Sequence, residues 1–235
     1  MNISIVIPAY NEEQRIKQSI YKILNYFKIR DYDYEIILVD DGSIDNTIKV
    51  VEGFHNHKIK ILKNQKNLGK GAAAKKGVLA AQKEWILITD ADLSAPISEL
   101  DKFLKYQNYE VLIGSRGLNN SRILVHQPLY RKLGGKFLNF FIQILVLPGI
   151  KDTQCGFKLF QLKAAQKIFN KQTLNSFSFD VEILFIAKKK NMKILELPIV
   201  WTNNSNTKVL PFHDGFRLLR DLVKIRLNDF KKLYD

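Results

Sequence analysis

Trp85-Ile86-Leu87-Ile88-Thr89-Asp90-Ala91-Asp92 is the stretch from which the fold can be read. Its first five residues are β-forming and almost wholly apolar. They do not alternate, which is the pattern of a strand covered on both faces, as strands of parallel sheets are. The run stops at two carboxylates flanking one small residue. In an open parallel sheet ligands bind at the carboxyl ends of the strands, where loops and helix N-termini converge. Residues 85–92 therefore predict an α/β architecture and the edge at which its chemistry sits.

Residues 3–7, 35–39, 59–62 and 111–113 have the same strand character. Helical patterns lie between them near residues 12–27, 45–54, 71–82 and 98–106, with Asp45 and Ser98 as N-caps. The second half changes character. A long, partly apolar helix is predicted over 126–147, a short strand over 157–160, helices near 163–170 and 179–190, and a strand near 194–200. A polar loop at 202–208 and a closing helix from about His213 complete it. On a helical wheel Phe216, Leu218, Leu219, Leu222, Val223, Ile225, Leu227, Phe230 and Leu233 share one broad face, and Arg217, Arg220, Lys224, Lys231 and Lys232 share the other. Such a helix can pack on its own core or lie in the headgroup plane of an anionic membrane.

With 235 residues and 46% hydrophobic content the chain suits one sizeable core. The lone Cys155 allows no internal disulfide and no thiolate metal cluster, fits a reducing compartment, and reads as a packing residue. The N-terminus enters a strand pattern without a basic leader, so no signal peptide is expected. The longest charge-free apolar stretch, 137–150, has 14 residues, against the about 20 that a spanning helix needs. A cytoplasmic protein that does not cross a membrane by itself is the expectation. Its net charge of +14 is uneven: residues 1–116 carry 17 basic and 15 acidic side chains, residues 117–235 carry 20 and 8. The second half therefore either faces something anionic or carries a solvated lysine surface.

Four strand ends are informative: Pro8-Ala9-Tyr10-Asn11-Glu12, Asp40-Asp41-Gly42-Ser43, Asp90-Ala91-Asp92 and Gly114-Ser115-Arg116. Three carry carboxylates, which are costly to crowd without a cation. Asp90 and Asp92 suit Mg²⁺ or Mn²⁺, hard ions bound by one or two carboxylates together with substrate phosphates. Gly69-Lys70-Gly71-Ala72-Ala73-Ala74 also fits a dinucleotide fingerprint. That fingerprint belongs in the first βα turn, whereas this one comes after the third strand, and it would leave Asp40, Asp41 and Asp92 without a role. A glycine-opened helix start beside a phosphate, with Lys70 as partner, accounts for more. A nucleic-acid-binding protein would explain the charge but not the carboxylates at the strand ends, so no nucleic acid is expected as partner.

Together Ile5-Val6-Ile7-Pro8-Ala9-Tyr10-Asn11-Glu12, Val39-Asp40-Asp41-Gly42-Ser43, Asn67-Leu68-Gly69-Lys70-Gly71 and Asp90-Ala91-Asp92 resemble family-2 glycosyltransferases of the GT-A fold. Gly114-Ser115-Arg116 and Asp152-Thr153-Gln154-Cys155-Gly156-Phe157-Lys158 look like the subgroup that glycosylates polyprenyl phosphates, especially the dolichyl-phosphate β-glucosyltransferases. The resemblance implies an α/β GT-A domain over 1–212, with a nucleotide-sugar half (1–116), an acceptor half (117–212) and the basic amphipathic helix of 213–235 appended. It implies a donor site of Pro8, Ala9, Tyr10, Glu12, Asp40, Asp41, Lys70, Gly71, Asp90 and Ala91, with Asp40 accepting from a uracil ring. Asp90 and Asp92 would meet the metal, and Asp92, Asp152 and Arg116 would surround the reacting centre. Arg116, Arg131 and Lys208 are expected at an acceptor phosphate. The implied reaction is inverting transfer of a hexose, glucose from UDP-glucose, onto a polyprenyl or dolichyl phosphate at the cytosolic face of an anionic membrane. GDP-mannose as donor, or a hydroxyl acceptor, is the alternative.

Overall fold

The computed structural model describes residues 1–125, 129–203 and 211–235, for 129–132 and 211–214 the backbone only. The described residues form, in chain order, β1 Asn2–Ala9, α1 Glu13–Lys28, β2 Asp33–Asp40, α2 Thr47–Glu52, β3 Ile59–Lys63, α3 Lys70–Ala80, β4 Trp85–Ile88, α4 Leu100–Phe103, β5 Val111–Ser115, β6 Arg122–Val125, α5 Leu129–Leu145, β7 Lys158–Gln161, α6 Leu162–Lys171, α7 Phe179–Lys189, β8 Ile194–Pro198, β9 Val200–Thr202 and α8 Pro211–Phe230. Seven strands form one sheet in the order β3-β2-β1-β4-β7-β5-β8, and β6 pairs with β9 in a small parallel ribbon. Only β7 runs against its neighbours, antiparallel to both β4 and β5.

The unbroken apolar runs form the middle of this sheet because both faces are covered. Successive residues feed opposite cores. Ile3, Ile5, Ile7 and Leu87 pack beneath α1, while Val6, Ile86 and Ile88 pack beneath α3, α6 and α7. Each fully buried aliphatic side chain contributes about 1.5–3 kcal/mol. The carboxyl ends of β1, β2, β4 and β5 consequently lie along one rim.

The structure changes three expectations. The helix predicted over 98–106 is a 3₁₀ turn at Ile97–Glu99 followed by the single turn of α4, and Ser98 makes no capping bond. Asp45 sits one residue before the cap position of α2, where its Oδ1 accepts from the Thr47 amide at 2.9 Å. The strand predicted over 194–200 is two strands divided at Ile199, the second pairing with β6. The predicted helix over 126–147 is α5, with 126–128 outside the described residues.

The closing helix divides its apolar face. Leu218, Leu222 and Ile225 join the core, and Tyr234 beyond the helix donates to the buried Glu182 at 2.7 Å. Phe216, Val223, Leu227 and Phe230 stay exposed, the two phenylalanines 81% and 87% so. One part of the stripe packs on the core, and the other part is left uncovered.

Candidate active site

Asp40 ends β2 beside Ala9, the end of β1. Its Oδ2 accepts from the amides of Gly42 (3.2 Å) and Ser43 (3.1 Å). Its Oδ1 is buried and has no hydrogen-bond partner among the described residues. A buried carboxylate oxygen unmet by the protein at a strand end is open to a donor from water or a ligand, since leaving it unmet costs roughly 1–3 kcal/mol. The adjacent loop is braced: the Asn11 amide donates to Ser43 Oγ (2.8 Å) and the Glu12 amide to Thr47 Oγ1 (2.7 Å). Pro8 is the last residue but one of β1, and Tyr10 follows Ala9 at the partly open rim.

Asp41 does something different. Its Oδ1 accepts from Asn64 Nδ2 (2.8 Å) and the Leu68 amide (3.0 Å), and its Oδ2 from the Gly69 amide (2.8 Å). Both oxygens are spent on fixing the loop that delivers Lys70. Gly69 holds φ +106°, a conformation that favours glycine.

Lys70 Nζ donates to Asp90 Oδ1 at 2.6 Å. Burial alone would raise the Asp90 carboxyl, but Lys70, with Lys158 and Arg116, outweighs it and holds Asp90 below the usual carboxylate range. Burial likewise opposes the charge on Lys70, and Asp90 and then Asp180 raise it above its ordinary value. Both groups stay charged. Ala91 is buried between the two acids. Asp92 Oδ1 accepts from the Ser94 amide (3.0 Å), and its Oδ2 lies 3.5 Å from Arg15 Nη1. Arg15 also grips Glu12 with two bonds of 2.8 Å. Asp92 opens onto a cavity of about 710 Å³ lined by Lys22, Tyr26, Ser94 and Asn203 among others.

Arg116, just past β5, holds Asp152 through Nε–Oδ2 (2.7 Å), Nη2–Oδ1 (2.9 Å) and its own amide (2.9 Å). Glu196 fixes the Asp152 amide from the other side at 3.0 Å. Burial works against the Asp152 charge, Arg116 outweighs it, and the carboxyl sits below its ordinary range. The guanidinium carbon lies 5.2 Å from the Trp201 ring centre, and Nη1 makes no hydrogen bond among the described residues. Cys155 is buried, its thiol pushed up to about 11 by burial and then by Asp152, which suits a packing residue. The Arg131 side chain and all of Lys208 lie outside the described residues.

One rim thus gathers Asp40, Lys70, Asp90, Asp92, Arg116 and Asp152. The donor set at Asp90 and Asp92 fits the chemistry of a hard divalent ion: two carboxylates, oxygen ligands only. Among the described residues no three His, Cys, Asp or Glu side chains form a closed cage. Three contributors escape the sequence reading. Arg15 lies one helical turn after Glu12, a spacing that could have shown it. Lys158 closes the 152–158 motif without a role assigned to it there, and Asp180 gives no signal in the sequence.

Residues 4–169 match the model of glycosyl transferase family 2. The chain belongs to that family. It is similar over nearly its whole length to the dolichyl-phosphate beta-glucosyltransferases of Dictyostelium discoideum (34% identical over 240 residues, 95% of this chain and 73% of the relative) and Homo sapiens (33% over 242, 96% and 75%). The Saccharomyces cerevisiae protein of that name is 33% identical over 247 residues, 96% of this chain and 74% of the relative. Among solved structures, mannosyl-3-phosphoglycerate synthase from Rubrobacter xylanophilus superposes with a TM-score of 0.70 at 16% identity, over 99% of this chain and 75% of that one. Glucosyl-3-phosphoglycerate synthase from Mycobacterium tuberculosis, with Mn²⁺, uridine diphosphate and glucosyl-3-phosphoglycerate, gives 0.68 at 15%, over 97% and 79%. The fold is GT-A.

Proposed function

We propose that the protein transfers glucose from UDP-glucose to dolichyl or another polyprenyl phosphate, with inversion, at the cytosolic surface of an anionic membrane. The observation that carries this is the Arg116–Asp152 pair. A carboxylate gripped by both arms of a guanidinium and held below its ordinary range is a poor proton acceptor. A hydroxyl acceptor needs one. A phosphate does not, because its second pKa is roughly 6 and it arrives ionised at neutral pH. The names of the long relatives support the same acceptor.

Asp40 Oδ1 accepts from the uracil N–H. Lys70 donates to the diphosphate, and Asp90 and Asp92 hold Mg²⁺ or Mn²⁺ beside it. When bound, the ion would supply positive charge beside the diphosphate oxygens. Arg116 turns its remaining nitrogen to the acceptor phosphate, and Asp152 orients that guanidinium. Arg131 and Lys208 are proposed to assist from the acceptor half.

The membrane surface has a physical match. On α8 the exposed Phe216, Val223, Leu227 and Phe230 lie among the exposed Arg217, Arg220, Lys224 and Lys231. On α5, packed against α8, Leu133, Phe137, Phe140 and Ile144 form a second exposed stripe. Exposed apolar side chains beside a cationic helix face suit an anionic interface. No helix among the described residues is long and apolar enough to cross a membrane.

The test is a panel of UDP-glucose, UDP-N-acetylglucosamine and GDP-mannose with Mn²⁺, offered with a polyprenyl phosphate and with the matching polyprenol. Transfer from UDP-glucose to the phosphate alone, stopped by EDTA, is expected. Transfer to the polyprenol, or transfer indifferent to chelator, defeats the acceptor or the metal assignment respectively.

A further inference from the structure

Lys158 stands in the middle of the sheet, opposite Ile88 of β4 and Ile113 of β5, and is 1% exposed. An ammonium in such a place is expensive unless paired and hydrogen-bonded. It is both. Its Nζ donates to the Cys155 carbonyl at 2.5 Å and to Asp180, in the first turn of α7. A buried ion pair is weak grounds for stability, because well-packed apolar residues often do as well. Its surroundings give it another use.

Each partner supports one half of the Lys70–Asp90 contact. On one side, the Cys155-Gly156 backbone that Lys158 pins lies directly under Asp90: a Cβ on Gly156 would fall 2.0 Å from Asp90 Oδ2. On the other side, the chain leading into Asp180 carries the Lys70 loop. The Gly71 amide donates to the Asn175 carbonyl at 2.8 Å, and a Cβ on Gly71 would meet Phe179 Cβ at 2.7 Å. Lys158 and Asp180 therefore tie together the two supports on which Asp90 and Lys70 rest.

We propose that the Lys158–Asp180 pair is a positioning clamp for donor binding, setting the separation of Asp90 and Lys70 so that carboxylate and ammonium meet the metal-bound diphosphate together. The clamp rests on the donor site proposed above. It touches no substrate, and it acts on the donor side only.

The test compares Asp180→Asn, which keeps shape and removes one charge, with the double variant Lys158→Met/Asp180→Leu, which replaces the pair by apolar groups. Binding of UDP with Mn²⁺ is measured by calorimetry, and KM for each substrate from initial rates. Expected for both variants are a tenfold or greater loss of UDP–Mn²⁺ affinity and a matching rise in the donor KM, with the acceptor KM unchanged. A purely structural pair would lower the folded fraction, and so kcat and the thermal midpoint, while leaving both KM values alone. That result in whichever variant folds overturns the clamp. Failure of the unaltered protein to bind UDP with Mn²⁺ would instead overturn the donor site, and the clamp with it.

Discussion

Arg116 and Asp152 meet through two parallel side-chain bonds, 2.7 and 2.9 Å, and a third from the Arg116 backbone amide to the same carboxylate. With the Gln154 amide also donating to Oδ1 at 3.2 Å, the geometry leaves Asp152 no lone pair suited to catching a proton from an acceptor. The ionisation that limits the reaction on the acid side should then belong to the substrate. The rate under limiting acceptor should fall as pH drops through about 6, the second pKa of a phosphomonoester. The limb should move up when a phosphonate, whose second pKa is higher, replaces the phosphate. Asp152 itself stays charged down to below the usual carboxylate range. Its folded pKa is depressed, so the stability it contributes is present above the unfolded value of about 3.9 and is lost as pH falls through the folded one. An acid limb fixed regardless of acceptor would contradict this assignment.

On the proposed metal site, Asp92→Ala removes one of the two carboxylates that would hold the ion. Turnover should drop at least about a hundredfold, as when an interaction worth several kcal/mol at a departing diphosphate is lost. Raising Mn²⁺ should recover part of the loss. Titrating Mn²⁺ against the variant, with UDP present, checks it.

Gly156→Ala drives a methyl group into Asp90, 2.0 Å from Oδ2 and 2.3 Å from Cγ. Asp90 lies at the partly open rim, so the carboxylate can turn aside while the fold holds. The donor KM should rise about tenfold, a change of about 1.4 kcal/mol. The thermal midpoint should move by no more than about 4 °C. Steady-state kinetics and a melting curve separate the two effects.

Tyr234→Phe should do the reverse. Its hydroxyl donates to Glu182, which is fully buried and also accepts from Thr173 and Leu174. Losing one of several donors to a buried charge should cost about 1–3 kcal/mol. Denaturant unfolding should show the loss, with both KM values unchanged.

Phe216→Ser with Phe230→Ser should weaken binding to vesicles containing anionic lipid by at least about tenfold, since burying one such ring contributes about 1.5–3 kcal/mol. Transfer to a short, water-soluble acceptor phosphate should be unaffected. Co-sedimentation with vesicles reads the first outcome and a soluble assay the second.

The central sheet and its reactive rim are legible in the chain itself. The runs ending at Ala9, Asp40 and Asp90 announce buried parallel strands, and the placing of their terminal carboxylates is a matter of strand topology alone. Sequence could not say that Asp40 keeps an oxygen unmet while Asp41 spends both on a loop, because neighbours in a chain diverge only once the strand end is built. β6 escapes a sequence reading because Arg122–Val125 is a half-exposed ribbon with no apolar alternation. Lys158 is hidden for a deeper reason. A lysine beside Leu159 and Phe160 reads as a surface residue, and only the arrival of Asp180 from 22 positions away makes its burial tolerable.

The reversed strand β7 has an evolutionary corollary. Because a segment from the second half is threaded between β4 and β5, the first 116 residues do not form a cassette that could be inherited, exchanged or expressed apart from the remainder of the chain. Cut there, the fragment would present two raw sheet margins where it now has an interior. A piece exchanged between relatives would have to carry β7 together with the strands on either side of it.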